Sequence, residues 1–403
     1  MIDTREDLVR ALQEAGELEQ GLMIQYLFGA FSLKTREKEG LSPEQTSLVR
    51  DWKATILRVA QEEMGHLGTV CNLLSAVGAP PHFNRPNFPK STSYYPFPFD
   101  LVPFGDDFLY RIQVFELPRG APLPPRHMCG PHAAPARALA DAAIVPDPLV
   151  YDRVGSLYVQ IAEAFKRIPE RQLFIGPTKS QDDNAWSVPL DIRRVYDRAT
   201  TSAAINDIIK DGEGTHVNSP SSHFARFSRI RRNYVEAGCF DAARAVVTNP
   251  ATKKRRDSDG TANLIENQDT AAVCDLFNGA YFWTLTLLLQ YFSRAGETDA
   301  QRTELKQAAQ RTMSVAIRPI AEILTECPFS RPDDPRRAGP SFELPGDVYL
   351  APDPGARWTM VMERLDAIVS RCRELAKIAP RLGPIGDTMG YMRRSLARVI
   401  RES

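Results

Sequence analysis

Ionisable side chains stand on two N-terminal helical segments at positions where packing favours apolar residues. On the first segment, residues three and four apart place Glu19 on one face with Leu12 and Leu22. On the second segment, Glu63 and His66 share a face with the apolar residues before and after them. An ionised carboxylate isolated in a core is strongly destabilising, so each glutamate must be paired, protonated or bound to a cation.

The Glu63-x-x-His66 spacing indicates which chemistry these residues could perform. Side chains three residues apart on a helix lie one turn apart and converge on a point beside it. Together with a glutamate such as Glu19 from another helix, they form half of a carboxylate-bridged two-metal site of the kind found in four-helix bundles. The alternative is a hydrogen-bonded pair in a metal-free core. We favour the metal interpretation because both residues and Glu19 lie on apolar stripes.

The second half of such a site requires ligands from two further helices. Glu213 and His216 repeat the Glu-x-x-His spacing, but glycines flank Glu213, so the helix is expected to end there. His223 is the alternative histidine, because it begins an apolar stripe that continues through Phe227. Glu163 is the acid available on the predicted third helix. It lies opposite that helix's apolar stripe, and we expect it to point inward because both faces of the helix are covered.

Composition excludes several classes of protein. The 403 residues contain 50 basic and 50 acidic side chains, which provide no general attraction for nucleic acid or an anionic membrane. The acidic N-terminus does not resemble a signal peptide, so a cytoplasmic location is expected. No two of the six cysteines have C-x-x-C spacing, and we expect all of them to be reduced and buried. The uncharged stretch 276–293 is expected to be a core helix, since polar residues interrupt it.

Helical periodicity dominates the chain and predicts an all-α fold in two regions. Residues 1–246 are expected to form a metal-binding helical bundle, and residues 263–403 to form additional C-terminal helices packed on it. A polar break at 247–262 separates the two. Between the second and third helices, residues 80–148 are rich in proline and aromatic residues. They predict long ordered loops packed over the bundle, with one short helix near 106–114 and a lid formed by the aromatic loops at 83–104.

Four segments together resemble a known family. They are LEQGLMIQYLFGAFSL around Glu19, VAQEEMGHLGTVCNLLSAVGAPPHFNRPNFP around Glu63 and His66, KDGEGTHVNSPSSHFARFSRI around Glu213 and His223, and AGPSFELP at 338–345. In this order they are similar to the ferritin-like domain of the iminophenyl-pyruvate dimer synthase family, whose best-known members belong to bisindole pigment pathways such as that of violacein. The resemblance implies a ferritin-like four-helix bundle elaborated with long proline and aromatic loops and additional C-terminal helices.

The resemblance also implies a cofactor and an activity. Iron is the expected metal, with Glu19, Glu63 and His66 in one cluster and Glu213 with His223, rather than His216, in the other. The implied function is that of a non-haem, di-iron oxidase or oxygenase that uses O₂ as co-substrate. Its substrate would be a small amino-acid-derived molecule of specialised metabolism, and oxidative coupling of an imine is one such reaction. The alternative is a non-catalytic ferritin-like protein that binds iron or serves as a scaffold; oligomerisation is left open.

Overall fold

The computed structural model describes residues 2–95, 97–118, 121–129, 154–183, 186–188, 190–212, 220–254 and 262–402. Nearly all regular structure in these residues is helical, and the prediction of an all-α chain is confirmed. The chain divides into two compact units. Unit 1 comprises Met1–Ala79 and Pro89–Arg244, and unit 2 comprises Pro80–Phe88 and Ala245–Ser403. Residues 80–88, predicted to begin the loop lid of the first region, therefore group with unit 2.

Unit 1 contains the helices that carry the predicted ligands. Within its described residues, two long helices come first, followed by five shorter ones: α1 (Arg5–Ser32), α2 (Pro43–Ala76), α3 (Asp106–Phe115), α4 (Val154–Arg167), α5 (Glu170–Leu173), α6 (Arg198–Asp211) and α7 (His223–Glu236). Helices α1 and α2 pack along each other. Helix α4 packs on α1 and α6, and α7 packs on α2 and α3. The buried stripes that the sequence predicts for α1 and α2 face this common core.

Side-chain caps set where these helices begin. Thr4 and Asp7 form a capping box at the start of α1. Ser42 caps α2, and Pro43 occupies the first turn. Ser222 caps α7. His223 is consequently the first residue of the helix, a position that is buried.

A disulfide joins Cys129, beyond α3, to Cys239, just beyond α7. The prediction that every cysteine is reduced is therefore wrong for this pair, since 110 residues separate the two and spacing alone does not show which cysteines the fold brings together. Close by, Arg231 of α7 donates to Asp106 Oδ1 at 3.0 Å and to Gln113 Oε1 at 2.8 Å. The disulfide and this buried arginine together link the segment 121–129 and α3 to α7.

We predict that breaking this disulfide lowers the free energy of unfolding of the chain. Either Cys129→Ser or Cys239→Ser opens a long covalent loop, for which a loss of about 2–5 kcal/mol is expected. Chemical denaturation of the variants under non-reducing conditions measures this loss. The double variant serves as the control, because it removes the same single bond and should lose no more than either single variant. Additive losses would show that the two cysteines act separately.

Unit 2 is a second helical assembly. Its helices are α8 (Gln268–Ser293), α9 (Asp299–Thr312), α10 (Arg318–Leu324), α11 (Pro354–Leu375) and α12 (Leu382–Arg401), with a π-helical turn at Met313–Ile317 that joins α9 to α10. Two short strands, Pro250–Ala251 and Asn263–Leu264, pair in parallel. The polar break predicted at 247–262 thus begins within this unit, and residues 255–261 of it lie outside the described part of the chain.

Helix α8 is the central helix of unit 2. Within the described residues it is the one helix that is long and apolar enough to span a membrane, by length and composition alone. However, 78% of its most apolar 18-residue window is buried in the structure. It packs against α9 and α11, and the Trp283 indole N–H donates to the Val361 carbonyl at 2.9 Å. This burial favours the predicted core helix.

Candidate metal centre

Three glutamates and two histidines converge in the interior of unit 1. Glu19 comes from α1, Glu63 and His66 from α2, and His223 from the start of α7, and Glu116 directly follows α3. All five side chains are buried, with relative exposures from 0% to 7%. Because all of these helices pack within one unit, five ionisable groups that are distant in sequence become neighbours in a low-dielectric interior.

Glu63 lies between the two imidazoles. Its Oε2 is 2.9 Å from His66 Nδ1, and its Oε1 is 3.0 Å from His223 Nδ1. The two rings are 5.8 Å apart between centroids and inclined by 27°. One carboxylate therefore directs one oxygen to each histidine, as a carboxylate that bridges two metal ions does.

The centre consists of two similar halves that share Glu63. The Glu19 half contains Glu19, Glu63 and His66, and the Glu116 half contains Glu116, Glu63 and His223. In each half the three ligand atoms lie within 4.8 Å of one another. The distance from the outer carboxylate to its histidine Nδ1 is 3.4 Å in both halves. Each half thus offers two carboxylates and one imidazole to a metal ion.

Several buried atoms of the cluster have no hydrogen-bond partner among the described residues. Two of them are oxygens of the outer carboxylates, Glu19 Oε2 and Glu116 Oε2. Buried polar atoms without a partner are rare, because desolvation without compensation costs about 1–3 kcal/mol for each group. Oxygen and imidazole donors suit a transition metal. The residues present therefore fit a pair of metal ions better than they fit a hydrogen-bonded, metal-free core.

Proton affinities inside the cluster reflect burial and mutual charge. Burial raises the pKa of Glu19 to about 8 and also raises the pKa of Glu116. For Glu63 burial acts in the same direction, but His66 and His223 outweigh it and hold the pKa well below its usual range. Burial by itself would lower the pKa values of the two histidines, but the surrounding carboxylates have the larger effect. Both pKa values are therefore raised. Without metal, the cluster balances its charge by holding protons.

Metal binding is consequently expected to be pH-dependent. A metal requires a neutral imidazole, and because the pKa values of His66 and His223 are raised, both rings keep their protons to a higher pH than free histidine. Apparent metal affinity should therefore rise with pH between about 6 and about 8, by about tenfold per unit for each proton displaced. Competition titrations with a chromophoric chelator, together with proton release in weak buffer, measure this. A flat affinity profile would contradict the ligand role of the histidines.

Two tyrosines bind the outer carboxylates. The Tyr158 hydroxyl of α4 donates to Glu19 Oε1, and the Tyr26 hydroxyl of α1 donates to Glu116 Oε1. Both tyrosines are fully buried. In each case the hydrogen bond holds one carboxylate oxygen and leaves Oε2 directed elsewhere. The tyrosines thereby fix the orientation of the two outer glutamates.

The far ring nitrogens of the histidines face acidic side chains. His223 Nε2 is 3.0 Å from Glu62 Oε2, and Arg226 binds that same oxygen at 2.7 Å. His66 Nε2 lies 3.9 Å from Asp211 Oδ2, at the end of α6. A carboxylate on the outer nitrogen directs the other nitrogen of an imidazole towards a metal. His223 is held in this way, whereas the longer Asp211 contact holds His66 less tightly.

The structure brings together four of the residues predicted from sequence, namely Glu19, Glu63, His66 and His223. The prediction that Glu163 points inward is wrong. Its side chain is 56% exposed and pairs with Lys166 at 2.8 Å. The reason is the periodicity of α4, whose buried residues Leu157 and Ile161 lie on the opposite face. Glu213 and His216 lie outside the described residues, so their predicted roles stay untested.

Sequence reasoning missed Glu116. The residue follows a helix of only ten residues, and the short helix predicted near 106–114 stops before it, so Glu116 was not placed on a helical stripe. A signal was nevertheless present, because Leu109, Ile112 and Glu116 have the three-and-four spacing that identified Glu19. Both apolar residues of this stripe are buried.

The sequence of the chain is similar to those of known proteins. The sequence model of a family described as ferritin-like matches residues 12–232. The dichlorochromopyrrolate synthase of Lentzea aerocolonigenes is 29% identical over 387 residues, which cover 85% of this chain and 36% of the relative. The 2-imino-3-(indol-3-yl)propanoate dimerase of Chromobacterium violaceum is 26% identical over 397 residues, 93% of this chain and 37% of the relative. The chain thus spans little more than a third of these relatives.

A solved structure shares the fold. A ferritin-like protein from Caulobacter vibrioides matches with a TM-score of 0.53 and 18% identity, over 83% of this chain and 97% of that protein. The resemblance indicated by the four sequence segments is thereby confirmed, and the match to the family extends over the helices that carry Glu19, Glu63, Glu116 and His223. The chain belongs to the ferritin-like family.

Proposed function

We propose that the chain is an O₂-dependent oxidoreductase whose two-metal centre acts on a small, amino-acid-derived imine. The observation that carries the proposal is the position of Glu63, with one oxygen directed to His66 and the other to His223. An outer glutamate completes each half. Iron is the proposed metal, because family membership and a donor set of carboxylates and imidazoles both support it.

The reaction class is drawn from the relatives. One is named a synthase and the other a dimerase of an indole imine, and both names support oxidative coupling as the reaction proposed for this chain. Joining two imine molecules by a C–C bond removes two hydrogen atoms in total. O₂ can accept both hydrogens and their electrons as H₂O₂, so the overall reaction balances without a further reductant.

The protein's own groups would prepare the centre for this chemistry. Redox-active metal ions bound there would supply the electron transfer to O₂ that side chains alone do not provide. Tyr158 and Tyr26 hold the outer carboxylates in place. Aromatic rings packed around Phe115, the residue before Glu116, would help to exclude water: the Phe115 ring contacts Tyr95 at 4.7 Å and Phe99 at 5.4 Å between centroids. Phe99 also packs where a Cβ on Gly21 of α1 would lie.

The test begins with metal content. The purified full chain, loaded with Fe(II) without O₂, should hold about two ions per chain. The imine 2-imino-3-(indol-3-yl)propanoate is generated in situ from tryptophan by an amino-acid oxidase with catalase present. Oxygen uptake is measured in excess of the uptake of the oxidase and catalase without the chain, and coupled products are identified by mass spectrometry. Imine-dependent uptake and a coupled product support the proposal. Bound iron that consumes O₂ without any effect of the imine would instead support the non-catalytic, iron-binding alternative.

A further inference from the structure

A groove with a volume of about 810 Å³ lies in unit 2 between α11 and α12, next to the loop that joins α8 to α9. This volume is within the range of about 300–1,000 Å³ that is typical of small-molecule sites. Trp358 and Met362 of α11 and Ala397 and Ile400 of α12 supply its apolar surface. All of its lining residues belong to unit 2, so it shares no residue with the metal centre.

A buried carboxylate lines this groove. The Glu297 side chain is only 2% exposed, and its Oε1 accepts hydrogen bonds from Gln290 at 3.0 Å and from Arg357 at 3.2 Å. The other terminal nitrogen of Arg357 donates to the Ala295 carbonyl. Glu297 Oε2 has no hydrogen-bond partner within the described residues. A buried carboxylate oxygen without a partner is unfavourable, so this part of the groove favours a ligand that carries N–H donors.

An arginine lines the groove across from Trp358. Helices α11 and α12 pack antiparallel, and Arg393 Nη2 donates to Asp366 Oδ2 at 3.0 Å. Arg401 lies about two turns beyond Arg393, and Trp358 lies about two turns before Asp366. This register places Arg401 opposite Trp358. Arg401 forms no ion pair with any residue that the structure describes, and the groove also borders the N-terminus of α11, which favours negative charge. These two features favour a carboxylate.

We propose that this groove binds an aromatic α-amino acid. Its ammonium group donates to Glu297 Oε2, and its carboxylate binds Arg401. Its side chain lies against Trp358 and Met362, whose ring and thioether make favourable contacts with an aromatic ring. The inference goes beyond the proposed function, because it assigns a second site whose lining requires no metal.

The test is isothermal titration calorimetry of the metal-free full chain with three probes. L-tryptophan carries both charges, tryptamine lacks the carboxylate, and 3-(indol-3-yl)propanoate lacks the ammonium group. We expect each of the two analogues to bind at least about tenfold more weakly than L-tryptophan. Failure of L-tryptophan to bind at millimolar concentration, or equal affinity for all three probes, would overturn the inference.

Variants then locate the binding site. Arg401→Gln should weaken L-tryptophan binding at least about fivefold and leave tryptamine binding unchanged, since tryptamine has no carboxylate. The matched control is Arg398→Gln, because Arg398 is an exposed arginine of the same helix that does not line the groove. Glu297→Gln should weaken the binding of L-tryptophan and tryptamine, but not that of 3-(indol-3-yl)propanoate.

The exposed position of Arg401 keeps the test decisive even if Glu297→Gln does not fold. Wild-type affinity for L-tryptophan in Arg401→Gln, or an equal loss in Arg398→Gln, would overturn the inference. Neither result affects the proposed function, which is tested separately by iron content and imine-dependent oxygen uptake. Conversely, a chain that binds no iron would leave the amino-acid site intact, so the two failures are distinguishable.

Discussion

Glu63→Ala is expected to abolish binding of both metal ions. Glu63 contributes one oxygen to each half, so its removal takes a ligand from His66 and from His223 at once. Loss of a supporting partner of a ligand typically weakens metal binding by about 10–100-fold, and loss of a shared ligand should exceed that range in both halves. Iron content after loading and desalting measures the effect. We expect values near zero against about two for the wild type.

Glu63→Gln is the informative companion to this variant. It keeps the size of the side chain but removes the charge and the second strong acceptor oxygen, so it too should fail to bridge two metal ions. Far-ultraviolet circular dichroism of the metal-free proteins establishes that the helices are intact. If a folded Glu63→Ala protein retained two ions per chain, Glu63 could not be the shared ligand and the two-half description would be wrong.

Glu116→Ala is expected to remove one metal ion and Glu163→Ala none. Glu116 belongs to one half only and is fully buried, with Tyr26 on its other oxygen. Glu163 pairs with Lys166 at the surface. Metal stoichiometry should therefore fall from about two to about one in Glu116→Ala, with loss of turnover, because the proposed reaction requires both ions. Glu163→Ala should keep wild-type stoichiometry, turnover and stability to within about 0.5 kcal/mol.

These two variants also compare two ways of choosing a ligand. Glu163 was predicted because bundles of this kind take an acid from the third helix, whereas Glu116 follows from distance and burial in the structure. Loss of iron in Glu163→Ala with none in Glu116→Ala would show that the general architecture was the better guide. It would also require α4 to turn its exposed face inward.

The sequence alone was sufficient to identify Glu19, Glu63 and His66 as ionisable residues on buried helix faces. Each lies on a long helix, and the geometry of a helix relates residues three and four apart without reference to any other part of the chain. A carboxylate on an apolar stripe is therefore visible as an anomaly before the fold is known. The starts of α1 and α2 were predictable for the same reason, because a cap and its helix are adjacent in sequence.

Only the tertiary structure determined which further residues join Glu19, Glu63 and His66 in the cluster. Glu116 stands at the end of a short helix, where periodicity is brief, and it becomes a candidate ligand because α3 packs on α7 and α1. The contact of Tyr158 with Glu19 and the pairing of Cys129 with Cys239 join residues more than 100 positions apart. The prediction that Glu163 points inward came from the general architecture of such bundles and was wrong, because the buried face of α4 depends on what packs against it. Local periodicity shows which face of a helix is unusual, whereas the partners of that face depend on long-range packing, which no local pattern encodes.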